Sequence, residues 1–378
     1  MNKLLHNDSV NARQVAFFAS FVLPVYKLLE LPSLLARFAK GDLLLPAILQ
    51  FLTQFGVLIA LLFLLSRSKK TLFQRLEEAI GKWTKLVYGV YALVFLFFAV
   101  LPLLDLEKFV YAVFYDTSPT LFSFSAFFIL SAYLCMKGVK AVGRIGDLSL
   151  FLFPLSFLAL IVMSLVEADV SNLLPFFERS FQETLKGYTY STTHFADILL
   201  LLPLLGNVRY EKGDGVKIGI GYIVGALFTL LFLAVFYGVY STIALREHYA
   251  FAKIAQYFPV LAVVGRIDLV FVYLLCLVLF FYTAIPLRNA VGCIAKTCNL
   301  QGRTLLSFLI NLSAFLFVLF CNKYYDSIYA FYGNYAYPVF WVFSVLLPLA
   351  LLFLRGDSTE KQSKDARRRR NSKENEYA

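Results

Sequence analysis

Charge is what this chain has least of. Asp, Glu, Lys and Arg make up 16% of its 378 residues, where a soluble globular domain carries about a quarter. So little charge cannot cover a folded chain of this size in water, which excludes a free globular protein. The three histidines, His6, His194 and His248, stand on different segments and do not make a metal site. The five cysteines (Cys135, Cys276, Cys293, Cys298 and Cys321) show neither a disulfide framework nor ligand spacing. The chain has no GxxxxGK[ST], no HExxH and no GxSxG on a strand-to-helix turn. The expectation is a non-enzyme without cofactor or metal. No cleavable signal peptide is expected, because Met1–Arg13 is polar and the apolar run after it continues past signal length without a small-residue cleavage site.

Apolar sequence is what the chain has instead. Residues of hydrophobic type make up 60% of it, with 40 Phe and 23 Tyr, a supply that suits lipid-facing surfaces and interfacial anchors. The apolar residues gather in ten runs: Gln14–Leu35, Leu43–Leu65, Thr84–Leu104, Leu121–Met136, Leu148–Val166, Tyr188–Leu205, Ile218–Ile243, Leu269–Val291, Leu305–Cys321 and Ile328–Leu354. A hydrocarbon core needs about 20 apolar residues of helix to cross it, so the pattern predicts an all-α membrane protein of about ten transmembrane helices. The fourth run is short, which points to tilt or an interfacial position. Residues 1–13 form a cytoplasmic N-terminus, 14–354 a single membrane domain, and 355–378 a basic tail with nothing to bury and therefore disordered. With the N-terminus inside, the inward connections and the tail hold most of the 35 Lys and Arg, so both termini should be cytoplasmic. The run Arg367–Arg370 suits anionic lipid headgroups or simply reinforces topology; with no fold around it, it does not indicate nucleic acid. Two outward connections, Pro175–Lys186 and Ala244–Arg266, mix aromatics with charges and read as interfacial helices or anchored loops.

Two runs differ from the rest. The first contains FVLPVYKLLELP, in which Pro24 and Pro32 bracket Lys27 and Glu30. The sixth contains GYTYSTTHFADILLLLP, with a cluster of hydroxyls, His194, Asp197 and a closing Pro203. Proline removes a backbone hydrogen bond, and unpaired backbone at membrane depth survives only where it lines a cavity or is buried in protein. Broken helices opening two five-helix halves point to an inverted-repeat transporter fold with its ligand at the two breaks. Lys27 and Glu30 lie one helical turn apart and either neutralise each other or handle ligand or protons. Asp197 has no cation within a turn and reads as functional; His194 is either a packing residue or a proton sensor. Thr189, Ser191, Thr192 and Thr193 either grip a carboxylate beside freed N–H groups or satisfy neighbouring carbonyls. Gln50, Gln54 and Asn311 read as interhelical hydrogen-bond partners.

The order of short motifs along the chain resembles the spore-germination permease-like subunits, the B components of nutrient germinant receptors, within the amino acid–polyamine–organocation transporter superfamily. The stretches that carry it are LLELPSLLARFAKGDLLL from Leu28, GKWTKLVYGVYAL from Gly81, TSPT from Thr117, KGVKAVGRIGDL from Lys137, THFADILLLLPLL from Thr193 and VVGRIDLVFVY from Val263. Members typically carry a glutamate where this chain has Asp197. They also have small, glycine-containing sequence in the first break, where Pro24–Lys27 is bulkier and charged. The resemblance implies a 5+5 inverted-repeat (LeuT-type) fold with broken helices 1 and 6. It implies sensing of a small germinant, often an amino acid, in the spore inner membrane, beside an A subunit and a C-subunit lipoprotein. Tyr26, Lys27, Glu30, Thr192, Thr193, His194 and Asp197 are the expected ligand-binding residues. Two alternatives stay open: a proton-coupled amino-acid transporter using Asp197 or Glu30, and a non-binding scaffold whose pocket is plugged by Tyr26 and Lys27.

Overall fold

The computed structural model describes residues 10–66, 76–78, 80–114, 120–174, 177, 179–208, 210–256, 268–300 and 302–350. The basic tail, the TSPT motif up to Pro119 and the opening VVGRI of VVGRIDLVFVY lie outside the described residues. Each of the ten apolar runs becomes a helix or a series of helical segments over its described residues. The first run is α1 (Ala12–Phe21), α2 (Leu23–Lys27) and α3 (Leu31–Ala39). The next four are α4 (Leu44–Ser66), α5 (Thr84–Phe114), α6 (Thr120–Lys137) and α7 (Val139–Leu165). The sixth is α8 (Phe181–Ser191) and α9 (Asp197–Leu205), followed by α10 (Asp214–Tyr240). After the short α11 (Ala250–Gln256) come α12 (Asp268–Thr297), α13 (Thr304–Cys321) and a last helical run from Tyr325 to Ala350 that contains two π turns.

Six described helices are long and apolar enough to cross a membrane alone, and the pair Ala12–Lys27 and Leu31–Asp42, bent by 62°, makes a seventh. One of the six, Thr304–Ala350, is 47 residues long. That is about twice what a single crossing needs, and the turn at Asn322–Tyr324 divides it into the ninth and tenth runs. The chain is a multi-pass helical membrane protein.

Small residues set the centre of the bundle. Helix α1 lies between α7 and α10, and both neighbours present glycine to it. A Cβ on Gly146 of α7 would stand 2.6 Å from the Gln14 carbonyl, and one on Gly221 of α10 would stand 2.5 Å from that of Ala16. Glycine is required at both positions because backbone meets backbone there, the small-residue packing that holds helices together where lipid offers no hydrophobic contrast. Ser20 fastens the contact by donating to the Gly221 carbonyl at 2.8 Å. All five cysteines are free thiols.

Of the two connections expected to be interfacial, Pro175–Lys186 leads into α8 with Phe177, Phe181 and Leu185 exposed, whereas Ala244–Arg266 differs from the expectation. Ser180 caps α8, accepting from the Glu183 N–H, and this helix packs on α3 as the first half of the second broken helix. Helix α11 is buried along Ala250, Phe251, Ala252, Ile254 and Ala255, because the Ala250 and Phe251 N–H groups bond the Leu29 and Leu28 carbonyls that the first break leaves open. A loop read as a surface anchor is instead a plug on broken backbone. The remainder of that connection, residues 257–267, lies outside the described residues.

Candidate functional site

The two breaks face each other and are joined by an ion pair. Lys27 Nζ stands 2.5 Å from Asp197 Oδ1, with both side chains 1% exposed. Local helix ends explain why each charge is tolerated. Lys27 closes α2, and Asp197 is the first residue of α9; a cation at a helix C-terminus and an anion at an N-terminus both gain from the macrodipole. Lys27 also donates to the Leu23 carbonyl at 3.3 Å, and Tyr222 of α10 donates to Asp197 Oδ2 at 2.8 Å. The N-terminal end of α9 is thereby answered from inside the protein, by Asp197 itself and by Gln54, whose Oε1 accepts from the Ile198 N–H at 3.4 Å.

Glu30, one turn beyond Lys27, does not neutralise it. Its Oε2 takes a hydrogen bond of 3.1 Å with His248 Nδ1 on the loop before α11, while its buried Oε1 has no partner among the described residues. Sequence adjacency suggested the local pair; a break that turns the chain by tens of degrees sends the two side chains different ways.

Tyr26 fills the space between the breaks. Its ring is 1% exposed and stacked between His194 (5.2 Å between centroids) and Tyr282 of α12 (5.0 Å). Its hydroxyl donates to Asp105 Oδ2 of α5 at 2.6 Å, and Tyr325 donates to the other oxygen of that carboxyl at 2.8 Å. The hydroxyl cluster of the second break turns mostly to backbone. Thr189 donates to the Leu185 carbonyl, and Ser191 and Thr192 both donate to that of Tyr188. Gln50 donates to Thr192 Oγ1 at 2.9 Å, as its polarity at membrane depth suggested. Thr193 Oγ1 lies 3.3 Å from His194 Nδ1, leaving His194 Nε2 buried without a partner among the described residues.

The structure therefore brings six of the seven expected residues, Tyr26, Lys27, Thr192, Thr193, His194 and Asp197, to the facing breaks and sets Glu30 toward the loop. Sequence reasoning missed Asp105, Tyr222, Tyr282 and His248. Asp105 lies one residue past the apolar run that ended at Leu104, yet α5 continues to Phe114 through Pro102. Helix length, not hydropathy, was the signal.

The loop contact gives a pH dependence. The hydrogen bond to Glu30 holds the His248 imidazole above its ordinary value, against the opposing pull of partial burial; the Glu30 and Glu247 charges add to the rise and Arg37 subtracts from it. A raised folded-state value means the contact is complete below about 6.5 and is lost as pH climbs through the raised value. Amide hydrogen exchange over residues 241–256, corrected for intrinsic rates, should therefore speed up across that window. A His248→Gln variant should show a flat profile; the same profile in both proteins would remove His248 from the account.

Facing breaks in two helices of a membrane bundle define a permease-like protein, and solved structures share the architecture. MhsT in complex with L-phenylalanine is similar with a TM-score of 0.62 and 15% identity, over 90% of this chain and 87% of that one. Two variants of the manganese transporter of Eremococcus coleocola are similar with TM-scores of 0.54 and 0.56 at 12% identity, over 89% and 90% of this chain and 78% of theirs. No curated protein matches by sequence. The chain belongs to the spore germination protein family of permeases, whose model matches residues 29–325.

Proposed function

We propose that this chain is the permease-like subunit of a spore nutrient germinant receptor, sensing a small germinant, an amino acid foremost, at the facing breaks. The observation that carries the reading is the family match over residues 29–325 on a fold whose two breaks meet at a buried, charged centre. The subunit sits in the spore inner membrane with both termini cytoplasmic, beside A and C subunits. A germinant that binds one arrangement of the two halves more tightly shifts the population that the partners read. Tyr26 marks how the site is gated: fully buried between two rings, it must move before a ligand reaches the Lys27–Asp197 pair.

The test is germination of spores lacking this chain, complemented with the wild-type gene or with Tyr26→Phe. Loss of response to one amino acid class, restored by the wild-type gene, is the expected outcome. The phenylalanine variant keeps the ring and loses the bond to Asp105, so it should respond at several-fold lower germinant concentration. Spores that answer every nutrient equally well without the chain would end the reading. The similarity to transporters keeps proton-coupled amino-acid transport as the second reading; in proteoliposomes, transient counterflow accumulation of one labelled amino acid supports transport, and binding without accumulation supports the sensor.

A further inference from the structure

Asp197 has its charge answered twice, by Lys27 at 2.5 Å and by Tyr222 at 2.8 Å. A ligand amine arriving there would have to break that arrangement. A different pair of buried acids is less well answered. Asp105 is 0% exposed and Glu30 1%. Asp105 is met by two phenol hydroxyls, which carry no charge. Glu30 is met on one oxygen by an imidazole that is 59% exposed, and its other oxygen is buried with no partner among the described residues. The two carboxyls lie within each other's electrostatic reach, and Tyr249 and Tyr325 lie within reach of both.

We infer that Glu30 and Asp105, the latter held by the Tyr26 and Tyr325 hydroxyls, form a receiving site for an organic ammonium group, separate from the Lys27–Asp197 pair. The inference rests on the ligand-sensing reading and names a part of the ligand: a protonated amine. Chemistry selects this class. An ammonium offers several N–H donors, which match the open Glu30 oxygen and the acceptor capacity of Asp105. Among the described residues no group of three or more His, Cys, Asp or Glu side chains is placed to hold a metal ion, and phenol rings are poor company for a hard cation that wants an oxygen shell. His248 occupies Glu30 from the solvent side, so an entering amine takes over a hydrogen bond that the imidazole gives up. The loop that carries His248 is tied to the same break through the Ala250 and Phe251 amides. Occupation of the site thus acts on the plug over the broken backbone.

The experiment uses the purified full chain in detergent, with ethylammonium chloride as probe and sodium chloride at equal ionic strength as reference. Unfolding is followed by a thiol-reactive dye in a chain carrying Cys293→Ser, Cys298→Ser and Cys321→Ser, since Cys135 and Cys276 are buried until the bundle opens. This parent chain should show a saturable rise in unfolding temperature with ethylammonium only. Glu30→Gln and Asp105→Asn should each weaken that binding at least tenfold. His248→Ala removes the competitor for Glu30 and should tighten it several-fold, a gain that misfolding cannot produce. An equal rise with sodium, no saturable rise at all, or unchanged binding in all three variants would overturn the site. The measurement involves no spores, so its failure leaves the germinant-receptor reading standing, and failure of the germination test leaves the site standing.

Discussion

Replacing Lys27 by methionine is expected to destabilise the protein by about 3–5 kcal/mol, and adding Asp197→Asn to the same chain is expected to recover most of the loss. The single change leaves a carboxylate 1% exposed with one hydroxyl donor, Tyr222, in place of a cation. An unpaired charge at membrane depth is among the costliest things a helix can carry. The double change removes both charges while keeping an acceptor for Tyr222 and a chain of similar length where the lysine lay. Unfolding of the detergent-solubilised single and double variants, read through the buried thiols, closes the cycle. A coupling of several kcal/mol is the expected result. Additive losses would mean that the two side chains do not depend on each other, and the ion pair would no longer link the breaks.

The pair also shows where sequence reasoning reaches and where it stops. The solvent was legible from composition alone, because a bilayer imposes a length on every apolar run. The breaks were legible too: Pro24, Pro32 and the hydroxyl-rich Thr189–Thr193 are poor material for an unbroken lipid-facing helix. Partners were not. Lys27 lies 170 positions from Asp197 and three from Glu30, and only the bend between α2 and α3 decides that the distant acid wins. His248 was invisible for a related reason. It belongs to a connection whose aromatics suggested an interface, whereas His248 meets Glu30 and the Ala250 and Phe251 amides after it meet the open carbonyls of Leu29 and Leu28. Those carbonyls need donors wherever they sit, so a broken helix implies a segment that completes it, but nothing local says which. Gln50 and Gln54 were easier, since an amide within an apolar run has few uses besides bonding a neighbouring helix.

The second large effect should come from one added methyl group. Gly221→Ala places a Cβ 2.5 Å from the Ala16 carbonyl oxygen and 2.8 Å from the Ala16 Cα, and neither backbone atom has a rotamer through which to retreat. Helices α1 and α10 must move apart, weakening the Ser20–Gly221 hydrogen bond. Overpacking of this kind costs about 1–3 kcal/mol. Gly225 meets the same helix one turn on, at the Ala19 carbonyl, so Gly221→Ala with Gly225→Ala should leave little folded protein. The control lies on the same helix. Gly219 has only the tip of the Phe55 ring near its would-be Cβ, at 3.9 Å. Alanine is the better helix former by about 0.5–1 kcal/mol, so Gly219→Ala should be neutral or stabilising. Opposite signs two residues apart, measured as unfolding temperatures, would establish that α1 is seated by backbone contact. Equal small effects at 219 and 221 would mean that α1 sits further from α10 than the structure places it. The consequence reaches the site, because α1 runs directly into α2 and Lys27: a helix displaced at Ala16 carries its lysine away from Asp197.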